Sequence, residues 1–455
     1  MTQTIAQAAS WDIVLAGECM AARPFAQSDE PEFLGVVEML RDADLTMAHL
    51  EMNLGNPGEI EHPSRNDWVA SFMIAEGRIA DDMKWAGVDM LSLAHNHSFD
   101  WGPSGIHSTM KHVQRAGIAC AGTGRDLEEA RKPVYVETRR GRAAMISVST
   151  GNKNNEWAGL PKATIAGRPG VNPLRVTLRH QVDAEAARQL RRIADELKIN
   201  YTRFDRKDDE IRLQFPAQHT NRDVPLFVEG DGFGIISTCN NNDMRGNLRA
   251  VDEARSMADM VIVSHHFSVS EGTRGDEPPK YACDFARACI DAGADIYAGH
   301  GWHRTLGIEV YKGKPIIYGL GNFFAQSEFL DRVPSDSYES WGHDPDLMPI
   351  HNPAVEPLHP GLTGWIWWSS VLFRLKMDGH SVKEIHLHPL NLGRNPKVEG
   401  EITRPVGTGS HPKTDGRPFL ATEEDGVVIL ERMQRMSAAL GTRIEIENNV
   451  GIIRL

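Results

Sequence analysis

A chain of 455 residues that is 41% hydrophobic and 24% charged has the make-up of a soluble globular protein, long enough for one large α/β domain with insertions or for two domains. Its formal net charge of −13, with no long Lys/Arg cluster, argues against nucleic acid or an anionic membrane surface as a partner. Residues 1–10 lack the segments of a signal peptide, no window reaches the ~18 apolar residues of a membrane span, and the five cysteines contain no Cys-x-x-Cys pair, so the expected compartment is the reducing cytoplasm.

The first predicted element is strand 11–17, an apolar run that ends on Gly17. A helix over 33–42 carries Leu34, Val37 and Leu40 at three-residue spacing. Strand 46–50, helix 79–86, strand 90–94 and helix 104–116 follow, the last entered after Gly102-Pro103. Strands 118–121, 133–137 and 142–149 complete a strand–helix alternation, which implies sheets with helices packed on their faces. Residues 151–230 break that rhythm. They hold a Gly/Pro/Asn-rich stretch, a helix capped by Asp183 with Ala187, Leu190, Ile193 and Leu197 on one face, and a charged hairpin-like segment at 201–215. They are read as an inserted cap subdomain.

The alternation resumes with helix 248–258, strand 260–264, helix 281–292 and strands 295–298 and 315–318. A long loop rich in Pro, Asp and His spans 325–362 and is read as a lid or an interface. Strands 365–377 and 381–390 are joined by Asp378-Gly379, and a helix at 423–440 and a strand at 443–447 close the chain. The reading is a catalytic domain of 11–150 and 231–390, a cap of 151–230, and a C-terminal extension of 391–455.

Five segments place ligand-type residues directly after an apolar strand. They contain Glu18, then His49 and Glu51, then His95, Asn96, His97 and Asp100, then His265 and His266, then His300 and His303. Carboxyl ends of strands are where sites form in α/β sheets, and strand ends hold side chains rigidly. Carboxylates, imidazoles and an amide oxygen suit zinc, manganese or iron. Alone, each residue has an ordinary reading as a cap, a solvated acid or a satisfied polar group. Together they hold seven of the 19 histidines in one structural place, and that implies a divalent metal site of one or two ions. Neighbours in a strand face opposite ways, so one of His265 and His266 faces the site, and His266 is chosen.

These residues resemble the CapA-type capsule and poly-γ-glutamate synthesis proteins, which are related to the calcineurin-like metallophosphoesterases. The chain has Gly17-Glu18-Cys-Met20-Ala-Ala-Arg23 where that family has Gly-Asp-x-Met-x-x-Arg, and His49-Leu-Glu51 where it has Asn-Leu-Glu. Ala94-His95-Asn96-His97-Ser-Phe-Asp100-Trp-Gly102 stands for Ala-Asn-Asn-His-x-x-Asp-x-Gly, and Gly299-His300-Gly-Trp-His303 for Gly-His-His-Pro-His. The run from Lys312 to Phe323, with Asn322, is nearly complete. The resemblance covers roughly 11–150 and 235–390 and implies a four-layer α/β/β/α metallophosphoesterase-like sandwich.

It also implies roles. Glu18, Glu51, Asn96, His266, His300 and His303 are the metal ligands, and His97 is the general acid, oriented by Asp100. Arg23 stabilises charge developing on the substrate. His49, His95, Trp302 and Asn322 are expected to face the substrate. Trp302, Trp341 and the tryptophans of 365–368 would supply aromatic walls, or pack in the core or against another subunit, which leaves a homo-oligomer open. With few cations near the site, the expected substrate is a small molecule or short γ-glutamyl compound opened at an amide, lactam or ester bond. The alternatives are a phosphoesterase and a non-catalytic poly-γ-glutamate or capsule assembly protein.

Overall fold

The computed structural model describes residues 10–64, 72–197, 210–212, 225–272, 275–330, 332–340, 344, 346, 365–393 and 414–455. In chain order the main elements of the first half are β1 (Ser10–Met20), α1 (Pro31–Asp42), β2 (Leu45–Leu50), α2 (Ile79–Trp85), β3 (Met90–Ser92), α3 (Gly102–Arg115), β4 (Ala119–Ala121), β5 (Val134–Thr138) and β6 (Gly141–Thr150). The second half adds α4 (Asn241–Met257), β7 (Met260–Phe267), α5 (Lys280–Asp291), β8 (Ile296–His300), β9 (Ile308–Tyr311), β10 (Lys314–Ile317) and β11 (Asn322–Ala325). It ends with β12 (Ser369–Asp378), β13 (Ser381–Asn391), α6 (Glu423–Ala438), β14 (Glu445–Glu447) and β15 (Val450–Arg454).

The protein is mixed α/β, with two large sheets. One runs β14-β15-β13-β12-β1-β2-β3-β4, and β11 pairs in parallel with the end of β1. The other runs β9-β10-β8-β7-β6-β5. β1 is buried along nearly its whole length, because it lies between parallel β2 and antiparallel β12 with both faces covered. Ile13, Leu15, Met47 and Phe373 of the first sheet share one apolar core with Met145, Ile262 and Ile296 of the second. A second core packs α1, α2 and α3 on the other face of the first sheet. A third packs α4 and α5 on the second sheet. Phe373 is fully buried between the sheets. Phe373→Ala is expected to destabilise by about 3–5 kcal/mol, read from the shift of the urea midpoint.

Residues 414–455 are woven into the main body. β14 and β15 extend the first sheet through β13, and α6 puts Leu430, Met433 and Met436 into the core shared by the sheets. Strands Val176–Val182, Glu210–Arg212, Leu226–Glu229 and Gly234–Cys239 form a separate small sheet beside helix Ala184–Glu196. That helix is capped by Asp183, as its sequence implies, but Ile193 is 43% and Leu197 59% exposed. Among the described residues, Val182, Ile211 and Phe227 pack with Ala186, Ala187 and Leu190. Much of the segment 201–215 lies outside the described residues, as do Trp341 and most of the 325–362 loop. Within that loop, Ser327–Phe329 is a short 3-10 turn and Ser335–Ser340 a helix. Trp365–Trp368, expected to begin a strand, is a 3-10 turn ahead of β12. No helix among the described residues is long and apolar enough to cross a membrane.

His388 on β13 gives the fold an acid sensitivity. Its Nε2 is buried without a hydrogen-bond partner. Burial, with His386 and Arg374 adding to it, pushes its pKa down to about 4. An unfolded chain takes up that proton near pH 6.5 and the folded chain only near 4. Between those values the unfolded state binds more protons, so stability falls as pH falls, by up to about 1.4 kcal/mol per pH unit. Urea midpoints at pH 7 and pH 5 should differ less in His388→Leu than in the parent.

Candidate metal centre

Register brings the ligand-type residues together. At the end of β1, Glu18 stands opposite His49 of β2 and Asn322 of β11. Both pairings slip beside it, between Leu15 and Glu18 on one side and between Glu18 and Cys19 on the other. Such an irregularity re-aims a side chain. Glycine at 17 permits the approach, because a Cβ there would lie 1.8 Å from the carbonyl oxygen of Gly321. On the second sheet His266 of β7 pairs with His300 of β8.

Two adjoining groups result. In the first, Glu18, Glu51 and His303 bring their ligand atoms within 4.8 Å of one another. His303 Nδ1 makes an ion-pair contact with Glu18 Oε2, and the Gly301 N–H donates to Glu18 Oε1. His303 Nε2 lies 3.7 Å from Glu51 Oε1. The backbone of His303 is left-handed, at φ 56°, which non-glycine residues seldom adopt and which recurs where a site over-determines its geometry. In the second group, His49, His266 and His300 are likewise within 4.8 Å. Ring nitrogens 3.1 Å apart link His266 to both His49 and His300, and the His49 and His300 rings stack at 3.5 Å. The groups meet where His266 Nε2 lies 3.8 Å from Glu51 Oε1.

The electrostatics are those of a site short of positive charge. Burial raises the Glu51 carboxyl well above the usual carboxylate range, and the charge of His303 offsets only part of that. Burial also works against ionising Glu18, but His303 beside it wins and holds that carboxyl low. For His303 itself, burial opposes the charge and the two carboxylates outweigh it, pushing the pKa up to about 9. Burial pushes His300 down to about 3 against the attraction of Glu18, and lowers His49 and His266 well below the usual imidazole value. Among the described residues, neither carboxylate oxygen of buried Glu51 has a hydrogen-bond partner, and neither has His266 Nε2. Buried polar atoms are ordinarily satisfied, so these orphans are ones that a cation could satisfy. The donor set fits a divalent ion.

The other expected residues fall in different places. His97, half-buried on the turn after β3, has Nδ1 2.7 Å from Asp100 Oδ2, and the Met73 N–H donates to that same oxygen at 2.9 Å. Asn96 is half-buried between His95 and His97. His95 is buried, accepts the His97 N–H at Nδ1 and packs edge-on to His49, so it braces the turn. The Asn152 amide donates to the His95 carbonyl at 3.0 Å and to Glu156 at 3.1 Å, a support that no motif announced. Expected on the substrate side, His49 instead lies among ligand atoms. Asn322, also expected there, has both ends of its amide engaged, Oδ1 on His303 Nδ1 at 3.0 Å and Nδ2 on the Trp367 carbonyl at 2.9 Å. Trp302 is buried against Phe267 in the core of the second sheet. Trp367 takes the wall position, with its ring 4.3 Å from that of His303. Arg23 is exposed and lies over the Phe329 ring at 3.7 Å, away from the cluster in its contacts. His265 is the outward neighbour of His266, bonded to Thr150 and Tyr297 in the third core.

Two facing sheets with buried carboxylates and imidazoles at their strand ends define an α/β protein with a candidate metal centre. The chain belongs to the family described as Bacterial capsule synthesis protein PGA_cap, whose model matches residues 12–327. An uncharacterized protein of Sinorhizobium fredii is 31% identical over 453 residues, 97% of this chain and 93% of that protein. A probable polyglutamine synthesis accessory protein of Mycobacterium tuberculosis is 27% identical over 51% of this chain and 43% of its own length. The capsule biosynthesis protein CapA of Bacillus anthracis is 24% identical over 62% of this chain and 53% of its own length.

Proposed function

We propose that this protein is a metal-dependent hydrolase of the CapA-like type that opens an amide, lactam or ester bond in a small molecule or short γ-glutamyl compound. The observation that carries this is the buried Glu51 carboxylate between two candidate ligand groups, without a hydrogen-bond partner among the described residues, with the His97–Asp100 pair on the adjoining turn. The core shared by the two sheets and the helix-covered cores outside them fit an α/β/β/α sandwich of the metallophosphoesterase type.

Glu18, Glu51, His303, His266 and His300 would hold the cation, with Asn96 on the turn beside them. When bound, a divalent ion supplies a water molecule that ionises near neutral pH. Asp100 accepts from His97 Nδ1, so the proton that His97 gives to the leaving group sits on Nε2. Asn322 and Trp367 fix the ring of His303. The complete burial of Glu18, Glu51 and His266 excludes bulk water and strengthens each charge interaction. With Arg23 drawn onto Phe329, an acyl substrate suits the site better than a phosphoester dianion.

The polyglutamine synthesis accessory relative favours a second reading, a non-catalytic assembly protein that holds γ-glutamyl chains. Screening the manganese-, zinc- and iron-loaded protein against p-nitrophenyl esters, γ-glutamyl anilides, lactams and bis(p-nitrophenyl) phosphate separates them. Turnover of the acyl substrates is expected. Dominant phosphodiester cleavage would favour the phosphoesterase, and saturable binding of poly-γ-glutamate without any turnover would favour assembly.

A further inference from the structure

We infer that His49 is itself a metal ligand and completes a three-histidine pocket, with His266 and His300, that takes a borderline divalent cation of the zinc class. The inference rests on the reading of the centre as metal-binding and adds to it a ligand and a preference.

The ring nitrogens lie at the spacing of ligands, and a turn of the stacked His49 and His300 rings would aim both at one ion. His49 Nε2 and His300 Nδ1 each lie 3.1 Å from His266 Nδ1. With metal–nitrogen bonds of about 2.0–2.1 Å, two nitrogens on one ion stand about 2.8–3.4 Å apart, from a right-angle to a tetrahedral arrangement. The far nitrogens of two rings are already held: His49 Nδ1 is 3.1 Å from Ser92 Oγ, and His300 Nε2 is 2.7 Å from Ser264 Oγ. Ser92 is braced in turn by Ser147 at 2.7 Å. A hydrogen-bond partner on the far nitrogen is how proteins fix the tautomer and the aim of a ligating imidazole.

The proton count points the same way. With the ring protons of His49 and His300 on the serine side, both inner nitrogens present lone pairs to His266 Nδ1. One N–H on His266 cannot satisfy both and also serve its own Nε2, which is buried without a partner. A cation satisfies the three inner nitrogens at once and leaves the His266 proton on Nε2, which faces Glu51 Oε1 at 3.8 Å. Three neutral imidazoles make a softer donor set than the carboxylate group next door, and imidazole suits zinc, copper, iron or nickel better than magnesium or calcium.

The test uses the full-length chain, stripped with chelator and reloaded with zinc. Glu18→Gln weakens the neighbouring carboxylate group. The zinc it retains is expected to show three imidazole ligands by X-ray absorption, and to bind at least about 100-fold more tightly than in Glu18→Gln combined with His49→Asn. His49→Asn alone should lose one zinc equivalent and keep the ion at Glu18, Glu51 and His303. Unchanged zinc stoichiometry and affinity in His49→Asn would overturn the inference while leaving the metal centre intact. No zinc bound by any form, the parent included, would overturn both. Should His49→Asn fail to fold, by its metal-free thermal melt, the imidazole count in Glu18→Gln decides, and two or fewer overturns the inference.

Discussion

Glu51→Gln is expected to weaken metal binding at the Glu18, Glu51 and His303 group by at least about 100-fold, while leaving the metal-free protein as stable as the parent or more so. The two effects have one cause. Glu51 is wholly buried, neither of its oxygens has a hydrogen-bond partner, and burial holds its carboxyl well above the usual range. A buried group of this kind costs stability unless something pairs it. Glutamine keeps the shape and removes the ionisable group, so the metal-free fold loses little. A ligand that only the folded state binds raises stability in proportion to the logarithm of its excess over Kd. Adding manganese, which carboxylate ligands suit, should therefore raise the melting temperature of the parent and leave that of Glu51→Gln unmoved. Metal content and melting curves with and without metal check both halves. Parent-like metal affinity in the variant would remove Glu51 from the ligand set.

How much of this was legible in the sequence depends on what kind of fact each residue expresses. The strand–helix alternation reports burial patterns, and β1, β2, β6 and β7 lie close to where their apolar runs place them. That only one of His265 and His266 faces the site follows from strand alternation, and the geometry puts His265 against Thr150 and Tyr297 on the other face. Alternation applied to His49 and Glu51, two residues apart, would also have put them on one side. A lone strand histidine reads as a satisfied polar group, and the serines that aim it come from β3 and β6, far off in sequence. Trp302 has two readings in the sequence, an aromatic wall or packing in the core. The turn through Gly301 at φ 117° and His303 at φ 56° sends it into the core. The wall position falls to Trp367, which its segment name alone could not single out. β9, β11 and β15, each five residues or fewer, carry too short a pattern to be read.

His97→Ala separates catalysis from metal binding. The His97 side chain makes its close contact with Asp100, and neither ligand group contains it. Its removal should therefore leave metal content and melting temperature near those of the parent. Loss of a positioned general acid typically lowers kcat by 10²–10⁴-fold, so turnover of an acyl substrate should fall by about that factor with little change in KM. The loss should be greatest for substrates with poor leaving groups, because a good leaving group departs without a proton. An anilide and an activated p-nitrophenyl ester measured side by side test this directly. Asp100→Asn should lie between the parent and His97→Ala in rate, since it keeps the acid and loosens its aim. It should also cost some stability, because Asp100 Oδ2 holds the Met73 N–H as well. Equal losses on both leaving groups in His97→Ala would mean that the residue shapes the site without carrying the proton. An unchanged rate on both would move the acid elsewhere in the centre.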